Sequence, residues 1–115
     1  MAAELQNLLA AIPPAGPQEH SQTLVATGDF RIERIVSHGQ SSPEGFWYDQ
    51  ANAEWVLLVR GRARLRFEDG RVLELSPGSF VNIPAHQRHR VEWTDPAQPT
   101  IWLAVHYAGD PFRDP

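Results

Sequence analysis

The segment from residue 61 to 80, GRARLRFEDGRVLELSPGSF, restricts the fold more than any other part of the chain. In residues 63–67, apolar side chains alternate with arginines, which is the pattern of a β-strand with one buried and one solvated face. Asp69 and Gly70 tolerate the backbone conformations of a tight turn, and residues 72–75 supply an apolar return strand. The segment therefore predicts an antiparallel hairpin.

Strands and turns continue on both sides of this hairpin. Residues 88–93 alternate again and place His89, Val91 and Trp93 on one face, which we expect to point inward. Residues 100–107, TIWLAVHY, form a strongly apolar strand. Turn signals recur about every 8–12 residues, which is typical of a sandwich or barrel. The pattern therefore predicts an all-β domain.

The N-terminal part of the sequence differs from the rest. In residues 4–12, leucine and isoleucine recur at helical spacing, and Pro13 and Pro14 end the pattern. We therefore expect a short N-terminal helix and a linker in residues 1–22, a barrel in 23–108 and a C-terminal tail in 109–115.

Composition excludes several classes of protein. At 115 residues the chain is long enough for one domain. It has no cysteine, so any metal site must use nitrogen and oxygen ligands. The net charge is -4 and the arginines are dispersed, which argues against a nucleic-acid partner. No apolar run approaches the roughly 18–20 residues that span a membrane. Glu4 stands where a signal peptide needs positive charge, so we expect a cytoplasmic protein.

Two spaced motifs on these strands resemble those of the cupins. In the first, Glu54 is followed by six residues and Gly61. In the second, Gly78 is followed by five residues and Pro84, and His89 stands at the motif's final histidine. The resemblance covers roughly residues 30–107. It implies a small antiparallel, jelly-roll-like β-barrel, and a homodimer as the default assembly.

The resemblance also implies a metal site, but the first motif is incomplete. Tyr48 and Gln50 stand at the positions of two cupin histidines, while Glu54 and His89 keep their places. We expect Glu54 and His89 to be the core ligands of a divalent zinc, nickel, manganese or iron ion. Gln50 and His106 are the expected additional ligands, with Tyr48 as an alternative, although phenol and amide oxygens suit zinc or iron less well than imidazole does.

Four further side chains are expected to line the barrel cavity and contact a small molecule. His86 takes the place of the second motif's second glycine and is expected at the barrel mouth. The others are Tyr48, Trp93 and Trp102. Each has a purely structural alternative: a hydrogen-bonded core residue for the histidines and Tyr48, and core or dimer packing for the tryptophans. Glu54 has the alternative of an exposed position where its strand begins.

Three functional classes remain open from the sequence. The first is a metal-binding cupin of undefined activity. The second is an enzyme of the oxygenase, isomerase or decarboxylase type, including a metal-independent acid–base reaction on Glu54 and His89. The third is a metal-free module that binds or senses a small molecule.

Overall fold

The chain folds into eight β-strands, as seen in a computed structural model that describes residues 2–109. The strands are β1 (His20–Ala26), β2 (Phe30–Ser37), β3 (Ala53–Arg60), β4 (Ala63–Phe67), β5 (Val72–Leu75), β6 (Phe80–Ile83), β7 (His89–Thr94) and β8 (Thr100–Tyr107). The first strand begins inside the segment predicted as a linker.

The strands form two antiparallel sheets that face each other. The larger sheet has the order β1-β2-β8-β3-β6, and the smaller has the order β5-β4-β7. Apolar side chains from both sheets meet between them, among them Val56 and Leu58 from the larger sheet and Leu65 and Phe67 from the smaller. The predicted all-β architecture and the predicted hairpin are confirmed, since β4 pairs with β5 from Ala63 opposite Leu75 onward.

The predicted N-terminal helix is wrong. Residues 2–19 contain no helix, and a turn in which the Ala10 N–H donates to the Asn7 carbonyl replaces it. The Asn7 side chain accepts a hydrogen bond from the Leu9 N–H at 2.8 Å and so competes with helical pairing. A helix of this length is marginal without tertiary support, and here tertiary contacts take its carbonyl groups instead.

Arg34 on β2 supplies those contacts. Its guanidinium donates to the carbonyls of Leu8, Ala10 and Ala11 at 3.2, 2.6 and 3.1 Å. Further along, His38 Nε2 lies 2.9 Å from the Pro13 carbonyl. The N-terminal segment is therefore held against β2 by side chains, without any regular secondary structure of its own.

We expect Arg34→Met to lower the free energy of unfolding by about 2 kcal/mol, because a buried guanidinium with three carbonyl acceptors is lost. Limited proteolysis should also cut the segment before residue 16 faster than in the wild type. Arg34→Lys is the matched control: an ammonium keeps the charge but does not span three carbonyls, so it should restore only part of the loss. Unchanged proteolysis in Arg34→Met would show that the segment is held by other contacts.

A β-bulge in β7 changes the face of its last residues. Leu65 on β4 lies opposite Val91, but Arg64 lies opposite Trp93, so Glu92 is passed over. One extra residue reverses the alternation of side chains along a strand. Trp93 consequently packs on the outer face, where the Arg64 guanidinium lies 5.6 Å from its ring.

The predicted C-terminal tail, residues 109–115, lies outside the described residues apart from Gly109. Within residues 2–109 there is no helical segment with the length and hydropathy needed to cross a membrane.

Candidate functional site

A cavity of about 220 Å³ lies between the two sheets. Its wall combines an apolar part with a set of ionisable and hydrogen-bonding side chains. The apolar part is Ile35, Val56, Leu65, Ile83, Val91 and Trp102. The polar part is Glu19, Ser21, Glu33, Tyr48, Gln50, Glu54, His89 and His106.

Glu54 and His89 face each other across this cavity. Glu54 is the second residue of β3 in the larger sheet, and His89 is the first residue of β7 in the smaller sheet. Glu54 Oε2 lies 3.8 Å from His89 Nε2, with side-chain exposures of 12% and 6%. That distance is too long for a hydrogen bond. The predicted meeting of this carboxyl group and this imidazole inside the barrel is confirmed.

Three contacts fix the orientation of the His89 imidazole. Its Nδ1 lies 2.9 Å from the Gln87 carbonyl, and because a carbonyl only accepts, Nδ1 carries the proton. The Tyr48 ring stacks on the imidazole with centroids 5.3 Å apart. The backbones of Tyr48 and His89 also exchange two hydrogen bonds. His89 Nε2 is thereby left as the free nitrogen on the cavity side.

His106 flanks Glu54 on its own sheet. The two residues are direct cross-strand partners on β8 and β3. His106 Nε2 lies 2.8 Å from Glu33 Oε1, a hydrogen bond in which the nitrogen donates to the carboxylate. Glu54 therefore lies near two imidazoles, one on the adjacent strand and one on the opposite sheet.

Glu19 and Glu33 line the cavity, and sequence reasoning missed both. Glu33 could have been predicted from the sequence, because it lies two positions before Ile35 on β2. Side chains two positions apart on a strand point to the same face, so both face inward. Glu19 gave no such signal, since it lies in the segment predicted as a linker. It is held by Ser37 Oγ, which donates to Glu19 Oε2 at 3.1 Å and accepts from Trp102 Nε1 at 3.1 Å.

Burial raises the pKa of three side chains in this cavity, Glu19, Tyr48 and Glu54. Removal from water raises the pKa of Glu54, and the opposing attraction of His106 and His89 only partly offsets this effect. Burial also raises the pKa of Glu19, to which the charges of Glu33 and Glu54 add a smaller contribution. The pKa of Tyr48 is raised by burial and then by the neighbouring carboxylates. Glu19 and Glu54 therefore keep their protons to a higher pH in this cavity than they would in water.

This shift gives Glu54→Gln a pH-dependent effect on stability. Glu54 has a raised folded-state pKa, so its contribution to stability is present below its ordinary value of 4.5 and is lost as pH rises through the folded-state value. The free energy of unfolding of Glu54→Gln should therefore rise relative to wild type between pH 4 and pH 7. Urea unfolding at both pH values measures the difference.

Asp69→Asn is the contrasting control for that experiment. Hydrogen bonding by the Arg71 backbone lowers the pKa of the exposed Asp69, so this contribution is present at high pH and is lost on acidification. Because that loss falls below the ordinary pKa of 3.8, the difference between Asp69→Asn and wild type should change little between pH 4 and pH 7. An equal rise in both variants over this range would contradict the assignment of Glu54 to a desolvated site.

The structure brings together most of the predicted cavity residues but excludes two of them. Tyr48, Gln50, Trp102 and His106 line the cavity beside Glu54 and His89. Trp93 does not, because the β7 bulge turns it outward, where it is 37% exposed. His86 does not either: its side chain is 68% exposed, and its Nδ1 lies 2.7 Å from Asp49 Oδ1. His86 nevertheless keeps a positive φ of 63°, the conformation that the motif's glycine would adopt.

The expected metal ligands Glu54, His89, Gln50 and His106 all line the cavity. Within residues 2–109, no three His, Asp or Glu side chains are arranged to hold a metal ion. His106 Nε2 is directed to Glu33, and His89 Nδ1 is directed to a backbone carbonyl. Glu54 and His89 remain as one oxygen and one nitrogen donor, fewer than the three protein ligands of typical catalytic zinc sites. The Gln50 amide lines the same cavity, but one carboxylate, one imidazole and one amide make a poor donor set for the predicted divalent ion.

Comparison with known proteins places this geometry in a family. No curated protein matches the sequence. A crystal structure from Ralstonia eutropha JMP134, named as a proposed mannose-6-phosphate isomerase, is 44% identical, with a TM-score of 0.90 over 93% of this chain and 100% of that chain.

Two more distant structures share the fold alone. A cupin superfamily protein from Desulfitobacterium hafniense DCB-2 is 19% identical, with a TM-score of 0.75 over 95% of each chain. A protein of unknown function from Streptococcus pyogenes is 19% identical, with a TM-score of 0.74 over 96% of this chain and 91% of that chain. The cupin domain family itself matches residues 32–106, which hold β3 to β7 and nearly all of β2 and β8. The chain therefore belongs to the cupin family.

Proposed function

We propose that this cupin binds a small organic molecule in the barrel cavity and uses Glu54 and His89 as an acid–base pair without a metal ion. The observation that carries the proposal is the position of the two groups. They come from opposite sheets, are both largely buried, and approach to 3.8 Å without bonding to each other. Both groups are therefore free to bond to one ligand atom, or to neighbouring ligand atoms, that lie beside them in the cavity.

The two groups have complementary proton-transfer roles. Because Nδ1 of His89 is directed to the Gln87 carbonyl, Nε2 is the nitrogen that takes up a proton. The pKa of Glu54 is raised toward neutral pH, and general acids and bases work best when their pKa lies near the working pH. Proton transfer between neighbouring atoms of a bound molecule is the step that isomerases of the acid–base type require. The name of the Ralstonia protein supports an isomerase as the reaction class to test first.

The metal-binding alternative predicted from the family resemblance has a direct test. The protein is purified without a histidine tag, and its metal content is measured by mass spectrometry. We expect far less than one equivalent of any transition metal. One equivalent that disappears in His89→Ala would overturn the metal-free proposal.

Binding is tested on chelator-treated protein with a panel of small polar metabolites. Thermal shift identifies hits, and titration calorimetry measures their affinity. For each hit, Glu54→Gln and His89→Gln should weaken binding by tenfold or more, because each removes one half of the pair. His86→Gln is the matched control: it lies three positions away but outside the cavity, so affinity should stay within twofold of wild type. Equal losses in His86→Gln and His89→Gln would place the binding site elsewhere.

A further inference from the structure

We propose that the ligand of the cavity is a small organic cation, an amine of monosaccharide size or smaller, and that Glu19 and Glu33 set this preference. The inference rests on the proposed function, because it names the ligand class of the same cavity. It concerns two residues outside the acid–base pair, and it makes a prediction about charge that the pair alone does not.

The charge of the cavity wall is the first support. Three glutamates and two histidines line it, and no arginine is among the lining residues. Arg31 is paired with one of these acids: its Nε lies 3.7 Å from Glu33 Oε2, and its side chain is 49% exposed. Arg34 is directed to the N-terminal segment. A bound anion would therefore meet three carboxyl groups and a single half-exposed guanidinium that is already paired with Glu33, whereas a cation would offset their charge.

Unused hydrogen-bonding capacity is the second support. The His89 side chain is 6% exposed, yet its Nε2 has no hydrogen bond within the described residues, since Glu54 is its nearest partner at 3.8 Å. The Glu54 carboxyl group likewise has none. Both groups keep their unbonded atoms accessible from the cavity, where a ligand can bond to them in place of water. A neutral imidazole Nε2 and a carboxylate both accept, and an ammonium group has three donors and no acceptor.

The neighbouring aromatic ring and the size of the cavity fit the same class. Tyr48 lines the cavity beside His89, and an ammonium group is attracted to such a ring. The cavity of about 220 Å³ is smaller than the roughly 300–1,000 Å³ of sites for drug-sized molecules. The ligand is therefore a small amine, and a sugar phosphate is the wrong charge for this wall.

The test uses the full chain, freed of metal, and sets of three probes that share a carbon skeleton. One set is mannosamine, mannose and mannose 6-phosphate; smaller sets pair an alkyl amine with its alcohol and its phosphate ester. Affinities come from titration calorimetry at pH 7. Within at least one set, we expect the amine to bind at least tenfold tighter than the alcohol, and the phosphate ester to bind more weakly than both.

Variants assign the preference to the two acids. Glu19→Gln and Glu33→Gln should each reduce the ratio of amine to alcohol affinity by fivefold or more, and the double variant should abolish it. Glu44→Gln, at an exposed loop position outside the cavity, is the control and should leave the ratio unchanged. Circular dichroism confirms that each variant is folded.

Each outcome has a separate meaning. If a phosphate ester binds best and His89→Gln weakens it, the cation inference is overturned while the proposed function stands. If the amine preference persists in the Glu19 and Glu33 double variant, the two residues do not set it and the inference fails. If no probe in the sets and no metabolite in the wider panel binds, the proposed function fails as well.

Discussion

Gly61→Ala is expected to lower the free energy of unfolding by at least about 3 kcal/mol. Gly61 connects β3 to β4, where the chain passes from the larger sheet to the smaller, and its φ is +95°. A Cβ added there would overlap Thr100 Oγ1 and lie 2.6 Å from Thr100 Cα and 2.9 Å from the Pro99 carbonyl oxygen. Two of these three atoms belong to the backbone, so a side-chain rotation does not relieve the overlap.

Gly78→Ala separates the two causes of that loss. Gly78 has the same φ of +95°, but nothing lies within 4 Å of its added Cβ. It therefore incurs only the conformational cost, roughly 1 kcal/mol. Urea denaturation followed by circular dichroism measures both variants against wild type. Similar losses in the two would mean that Gly61 is needed for its backbone angle alone.

Trp102→Ala is expected to cost roughly 3–5 kcal/mol, as large-to-small changes of a buried tryptophan do. Trp102 is 4% exposed, belongs to the core cluster and also forms part of the cavity wall. Its Nε1 donates to Ser37 Oγ, which in turn holds Glu19. The substitution should therefore enlarge the cavity and release Glu19 at the same time.

Trp93→Ala is the matched control for this prediction. Trp93 lies on the outer face, 37% exposed, and its described partner is the Arg64 guanidinium. Its truncation should cost less than about 1 kcal/mol. Circular dichroism is the readout, because the substitutions change tryptophan fluorescence directly. A loss in Trp93→Ala equal to that in Trp102→Ala would contradict the bulge that turns Trp93 outward.

The sequence predicts the orientation of Trp102 correctly and that of Trp93 incorrectly. Strict alternation places Trp102 correctly, because β8 runs in regular register from Thr100 to Tyr107 along β2. The same reasoning fails for Trp93, since one bulged residue in β7 reverses the alternation. No glycine or other sequence signal in residues 89–94 predicts that bulge. Local patterns therefore predict strands better than they predict which way each side chain points.

The residues of the candidate site that stand in the spaced motifs could be predicted, but those brought in by long-range contacts could not. Glu54 and His89 follow from the spaced motifs, and their meeting is confirmed at 3.8 Å. Glu19 is held at the cavity by a hydrogen bond from Ser37, which lies 18 positions away in the sequence. The N-terminal helix was wrong for a related reason, because Arg34 engages carbonyls 23–26 positions earlier. Interactions over such separations leave no periodic signal in a single sequence.

The two groups of the proposed acid–base pair belong to different sheets, and this division has a mechanical consequence. Strand pairing within either sheet does not set their separation. It depends instead on the apolar layer that includes Val56 and Leu65, together with the backbone bridge between Tyr48 and His89. Substitutions that thin or thicken that layer should therefore change the gap between the carboxyl oxygen and the imidazole nitrogen. If the pair acts as proposed, its reactivity depends on packing in the hydrophobic interior as well as on the two groups themselves.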